Sequence, residues 1–178
     1  MAKKYIMEST STQKLLSFLS EEPGAYYTPV EVLSQTKMSR RSFFTSIKEL
    51  LDAGYVLSES RGRFVQYAAD YKNPFIKQLK ILKNIGILAK LLDELGPISK
   101  KIILYGSAGR GEDTAESDLD LFVITQDPEK AGAIIKKSKG NRNIHAVIKT
   151  PSETPDFAEK ENVFYAEVLK GLVLRELL

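Results

Sequence analysis

The chain has 178 residues, 43% hydrophobic and 28% charged, with a net charge of +3; this is the balance of an ordinary globular chain with room for one or two modest cores. With no cysteine it can form no disulfide and no thiolate metal site, and it carries no apolar run of bilayer-spanning length. A charge of +3 is too small to imply nucleic acid by itself, and Met1-Ala2-Lys3-Lys4-Tyr5 is not followed by the apolar stretch of a secretion signal, so the expected location is cytoplasmic, with no membrane partner.

Thr12 to Ser20 places Leu15, Leu16, Phe18 and Leu19 on a helical face, and Glu21-Glu22-Pro23-Gly24 ends it. Ala25 to Thr28 reads as a short extended piece, with Thr28 the N-cap and Pro29 the first residue of a short helix through Ser34. After the turn Gln35-Thr36-Lys37-Met38, a third helix is predicted from Ser39 to Ala53, capped by Ser39 and closed at Gly54, with Phe43, Ile47, Leu50 and Leu51 as its buried stripe. Tyr55 to Ser60 and Phe64 to Ala68 alternate on either side of Arg61-Gly62-Arg63, which predicts a hairpin.

Three helices followed by a hairpin, over residues 1–72, resemble a winged helix-turn-helix domain. The resemblance is architectural and rests on no motif. It implies that the third helix reads double-stranded DNA, with Arg40, Arg41, Ser42, Thr45 and Lys48 available to phosphates or base edges and with Arg61 and Arg63 at the wing tip reaching an adjacent backbone. Two other readings stay open. Winged helices also serve as protein-docking modules, and Arg40 and Arg41 can be plain solvated charges at a helix start, where the helix dipole opposes them.

Residues 73–97 read as a linker helix, opened by Asn73-Pro74 and ended by Gly96-Pro97. Ile76, Leu79, Leu82, Ile85 and Leu88 lie near one side, and Ile81, Leu91 and Leu92 widen it. The stripe suits an intramolecular core; an exposed remainder could pair two chains in a homodimer. Residues 1–72 carry 10 basic and 8 acidic side chains, residues 73–100 carry 5 and 2, and residues 101–178 carry 11 and 13, so the basic excess lies ahead of the last segment.

That last segment, 98–178, holds the most informative pattern. Lys101-Ile102-Ile103-Leu104-Tyr105 is an apolar run of strand length that stops at a glycine. Gly106-Ser107-Ala108-Gly109-Arg110-Gly111 then has three glycines in six residues, which lets backbone N–H groups approach a ligand, and a helix starting there adds its positive end to the attraction for phosphate. Ser107 offers a hydroxyl and Arg110 a cation to the same oxygens. In the second run, Leu119-Asp120-Leu121-Phe122-Val123-Ile124, the period of two puts Asp118 and Asp120 on one face, with Leu119 and Leu121 on the other. Two carboxylates at one sheet edge can hold Mg²⁺, which takes one or two carboxylates together with substrate phosphates. The glycine spacing, Gly-x-x-Gly-x-Gly, departs from the dinucleotide fingerprint Gly-x-Gly-x-x-Gly, and no helix of useful length fits before Asp118.

Gly106-Ser107, a spacer and Asp118-Leu119-Asp120 between two apolar strands are similar to the signature of minimal nucleotidyltransferases in the DNA polymerase beta superfamily. The match runs from Lys101 to Ile124. It implies a small mixed sheet with flanking helices, nucleotide binding by Gly106, Ser107 and Arg110, and metal binding and catalysis by Asp118 and Asp120 with Mg²⁺ and an NTP, ATP being the expected one. The chain departs from the family in one respect. The superfamily usually supplies a third carboxylate from a later strand, and the third strand expected here, Asn143-Ile144-His145-Ala146-Val147-Ile148, has none; no Asp or Glu lies between Glu129 and Glu153. His145 sits where that acid is expected and reads either as a metal ligand or base, or as an ordinary strand residue. Asn143 shares its face, and Glu153 lies past Pro151.

Asp127-Pro128-Glu129 opens a helix to about Ser138, Lys139-Gly140-Asn141 turns back, and Thr150 to Pro155 reads as a loop. Phe157 to Leu178 is read as mainly helical, with Val163, Phe164, Val168 and Leu169 as core candidates and Gly171 interrupting before Leu172-Val173-Leu174. Lys136, Lys137, Lys139 and Arg142 form a basic cluster open to two readings, a phosphate or substrate contact or a solvated loop. The expected class is therefore α+β. The expected function is transfer of an NMP group from an NTP to a hydroxyl of an acceptor, which can be a protein, coupled to a DNA- or protein-binding winged helix. The alternative is a catalytically inactive DNA-binding regulator whose appended domain senses a nucleotide or mediates assembly.

Overall fold

The computed structural model describes residues 9–138, 140 and 142–177. The readings made on Met1 to Tyr5, Lys139, Asn141 and Leu178 lie outside the described residues. The chain divides into two compact units, Met1–Lys80 and Ile81–Leu178, with α+β content.

In the first unit, α1 (Thr10–Leu19) begins two residues before the sequence reading because Ser9 accepts from the Thr12 N–H and caps it. Thr12, expected to open the helix, is instead buried, its hydroxyl donating to Glu49 Oε2 at 2.8 Å with Ser46 Oγ 3.1 Å away. Helix α2 (Pro29–Thr36) has a capping box in which Thr28 and Glu31 satisfy each other's backbone donors, and Lys37 ends it in the left-handed region. Ser39 caps α3 (Arg40–Asp52) by accepting from the Ser42 N–H. Strands β1 (Val56–Arg61) and β2 (Phe64–Ala69) pair antiparallel, with Arg61 opposite Phe64, and Tyr27 bridges to Tyr67. Leu15, Leu16, Leu19, Phe43, Ile47 and Leu50 are buried in one core.

Helix α4 (Pro74–Leu95) spans the division between the units. Ile76 belongs to the first core, and Leu88, Leu91 and Leu95 to the second. Its apolar stripe therefore serves two cores in succession rather than one. Leu82, expected on the apolar side, is 55% exposed.

In the second unit a 3₁₀ turn (Gly96–Ile98) leads into β3 (Ser99–Tyr105), followed by α5 (Gly106–Arg110), β4 (Leu119–Thr125), α6 (Pro128–Lys137) and β5 (Ile144–Lys149). Two short helices, α7 (Thr154–Lys160) and α8 (Asn162–Leu169), come next, then β6 (Leu172–Glu176). The sheet order is β5-β4-β3-β6, with β4 and β5 parallel and the other pairs antiparallel, so the sheet is small and mixed.

The strand β6 corrects the helical reading of the chain's end. A short apolar run after a glycine has no period long enough to separate helix from strand, and β3 offers it an unpaired edge. Gly171 makes the docking feasible: a Cβ there would lie 2.6 Å from the Leu104 carbonyl oxygen and 2.8 Å from Ile103 Cγ2. Val163 and Leu169 are also corrected, being 78% and 55% exposed. Only Phe164, Tyr165 and Val168 of α8 join the cluster on the sheet, with Ile103, Tyr105, Phe122 and Phe157.

The two faces of the sheet bury different clusters. Leu119, Leu121 and Val123 face the side packed by Leu88, Leu91 and Leu95 of α4 and Ala131 of α6. Phe122 faces the aromatic side, with its ring 5.7 Å from those of both Phe157 and Tyr165. By strand alternation Asp120 falls on that aromatic side.

Candidate active site

The candidate site forms where β3 ends and β4 begins. Register brings Tyr105, Asp120 and His145 into one row across three strands, with Tyr105 opposite Asp120 and Asp120 beside His145. Asp118 precedes β4 and is exposed. Asp120 is 29% exposed, and His145 Nδ1 stands 3.6 Å from its Oδ1.

The Gly-Ser turn reaches the second acid closely. Gly106 has φ 69°, and a Cβ on it would lie 2.6 Å from Asp120 Oδ2, so only glycine both adopts this backbone and leaves the carboxylate in place. The other glycines of the turn do different work from the ligand approach expected of them. Gly109 packs on the end of β3, where a Cβ would lie 2.5 Å from the Leu104 carbonyl oxygen, and Gly111 at φ 67° ends α5. That helix is only five residues long, so the turn offers individual backbone N–H groups rather than the field of a long dipole.

Ser107 is half-buried beside Gly106 and, among the described residues, its hydroxyl has no hydrogen-bond partner. Arg110 ends α5, half-exposed, with Nε 3.0 Å from Glu112 Oε2. Its charge also lowers the Glu167 carboxyl, behind the larger contribution of Lys170. Among the described residues no contact joins Arg110 to Asp118 or Asp120.

Burial pushes the Asp120 carboxyl above the usual aspartate range; His145 pulls it back and the neighbouring Asp118 adds to the rise. Tyr105, desolvated and facing the same charge, is pushed up to about 12 and keeps its proton at any working pH. Phe164 packs edge-on against the Tyr105 ring at 5.5 Å. Among the described residues no group of three or more His, Cys, Asp and Glu side chains could hold a metal ion. Two hard carboxylates nevertheless suit Mg²⁺, which draws its remaining ligands from phosphates and water. Among the described residues neither acid is paired with a Lys or Arg side chain, and Asp120 is a desolvated acid set against bare glycine backbone, a place where a cation stabilises the ionised form.

Arg142 corrects the basic-cluster reading. It is 9% exposed and bonded to Asp113, so it is not free for a phosphate, whereas Lys136 and Lys137 are exposed at the end of α6. Asp113 and Asn84, both 2% exposed, are the residues the sequence reading missed. The available signals were an asparagine inside an apolar helix and an acid inside the Gly-Ser spacer.

The DNA-reading candidates lie in the first unit. Arg40, Arg41, Thr45 and Lys48 are exposed on α3, and Arg41, Thr45 and Lys48 share one face by helical spacing. Ser42 is half-buried and its hydroxyl accepts from Ser39 Oγ at 3.0 Å, so it serves the helix cap. Arg61 and Arg63 flank Gly62 at the hairpin tip, both exposed.

Among the described residues no helix is long and apolar enough to cross a membrane. No curated protein and no solved structure matches the chain significantly. Residues 85–169 match the family model of the nucleotidyltransferase domain, a match consistent with the polymerase beta superfamily that supports, at the general level, a nucleotide partner and nucleotidyl transfer.

Proposed function

We propose that the second unit transfers an NMP group from ATP or another NTP to a hydroxyl of an acceptor. The observation that supports this reading is the close approach of Gly106 to the Asp120 carboxylate, which sets the glycine-rich turn against a desolvated acid. Gly106 and Ser107 bind the triphosphate oxygens through backbone N–H and hydroxyl, and Arg110, released from Glu112, adds a positive charge. Asp118 and Asp120 are the residues that would hold Mg²⁺, which when bound supplies charge for the phosphate oxygens and Lewis acidity at the transferred phosphoryl group. The acceptor oxygen forms its bond to the α-phosphorus as the bond to the bridging oxygen of the β-phosphate breaks. Pyrophosphate leaves, and the hydroxyl proton passes to solvent or to His145, whose Nδ1 stands 3.6 Å from Asp120 Oδ1.

The test is transfer of label from α-labelled NTPs into cell extract by the full chain. Asp118→Ala and Asp120→Ala are each expected to lower transfer by at least about 100-fold, several kcal/mol of lost charge stabilisation, while the fold persists. Label transfer at the wild-type rate in either variant removes these residues from the mechanism.

A second reading is favoured by the absence, among the described residues, of a three-donor metal group. In it the second unit binds nucleotide without transferring it, and the first unit, a winged helix over residues 1–72, docks on DNA or protein. ATP binding that depends on Mg²⁺, without label transfer, selects this reading.

A further inference from the structure

One buried cluster joins the two halves of the candidate site. Asn84 of α4 donates from Nδ2 to the Ala108 carbonyl in α5 at 3.1 Å and to Asp113 Oδ1 at 3.1 Å. Its Oδ1 accepts from Arg142 Nη1 at 3.0 Å, and the same nitrogen reaches Asp113 Oδ2 at 2.7 Å. The other edge of the guanidinium faces the backbone that enters β4. Nε and Nη2 donate to the Ser117 carbonyl at 2.8 and 2.6 Å, and Nη2 lies 3.5 Å from the Asp118 carbonyl. Ala108 directly follows Ser107, and Ser117 directly precedes Asp118. Three side chains therefore connect the Gly-Ser turn to the acid pair.

We propose that Arg142 is a positioning residue for Asp118 and Asp120 and that Asn84 positions the Gly106-Ser107 turn, with Asp113 locking the two together. The proposal rests on reading those four residues as the nucleotide and cation site. A guanidinium is suited to the task because its planar fork satisfies a carboxylate, an amide oxygen and a main-chain carbonyl at once, which an ammonium on a flexible stem cannot do in the same geometry. Burial strengthens each bond and raises the cost of leaving any member of the network unpaired. Outer-shell groups that orient metal-binding side chains typically contribute about 10–100-fold in metal affinity, so loss of the fork is read most directly as weaker cation binding.

The experiment uses the full chain and two probes: Mn²⁺ followed by its EPR signal, and metal-free ATP followed by calorimetry. Arg142→Lys keeps the charge and loses the fork. It is expected to weaken Mn²⁺ binding roughly 10–100-fold while changing metal-free ATP affinity much less. Asn84→Ala, which releases the hub, is expected to weaken both. Wild-type Mn²⁺ affinity in Arg142→Lys overturns the proposal. Should that variant not fold, the Nε–H of Arg142 in the wild-type protein carries the test: its NMR signal is expected to shift on addition of Mg²⁺, and a signal that stays put overturns the proposal equally. A wild-type protein that binds neither Mn²⁺ nor ATP instead overturns the nucleotide-site reading, and this inference with it.

Discussion

Gly106 and Asp120 share space that no side chain on residue 106 could enter, since a Cβ there would lie 2.6 Å from Asp120 Oδ2. The turn proposed to take phosphate and the acid proposed to hold a cation are therefore set against each other by the fold. Gly106→Ala must relieve both the contact and a positive φ, which together destabilise by about 1–3 kcal/mol. Because the relief displaces Asp120, ATP affinity in Mg²⁺ is expected to fall at least about tenfold. Calorimetric titration beside thermal unfolding checks this, and an alanine variant with native ATP affinity removes the contact from the binding argument.

The raised Asp120 carboxyl makes a pH prediction with a definite sign. In the window from the ordinary aspartate value, about 3.9, up to the raised one, the folded chain holds a proton that the unfolded chain has released. Stability contributed by this group is present below the window and lost as pH rises through it. Asp120→Asn removes the loss, so the variant is expected to exceed wild type in Tm at neutral pH and to show no such advantage in acid. The proposed cation binding runs the other way and in wild type is expected to weaken as pH falls through the raised value. A Tm difference independent of pH contradicts the assignment.

Asp113 and Arg142 form a buried pair, 2% and 9% exposed at 2.7 Å. Asp113→Ala leaves the guanidinium without its carboxylate among buried groups and is expected to destabilise the second unit by about 3–5 kcal/mol. Denaturant unfolding measures this. A change below about 1 kcal/mol, the range of surface pairs, means that water reaches the cluster.

For the first unit, the double variant Arg40→Ala/Arg41→Ala is expected to weaken duplex DNA binding and to reduce the salt slope by about 2, from two lost phosphate contacts at roughly 0.9 each. Equal affinity and equal slope leave α3 without a role in reading DNA and shift the first unit toward protein docking.

Much of the candidate site's local structure was legible because its signals are local. A Gly-Ser pair after an apolar strand marks a turn, and the period of two separates Asp120 from Leu119 and Leu121 without reference to any other part of the chain. The helix caps at Thr28, Ser39 and Asp127 were likewise readable from residue type and position. Ser9 escaped notice because the helix reading began at Thr12, a polar residue that the fold buries against Glu49.

What the chain's own order of residues determined is a β-turn-β unit carrying two acids, preceded by three helices and a hairpin, because these follow from spacing over a few residues. Tertiary structure decided the rest. It set the parallel register that stands His145 beside Asp120, the docking of β6 on the free edge of β3, and the meeting of Asn84, Asp113 and Arg142. Each of these joins positions more than twenty residues apart, and local periodicity carries no record of which distant segment fills an open sheet edge or neutralises a buried charge.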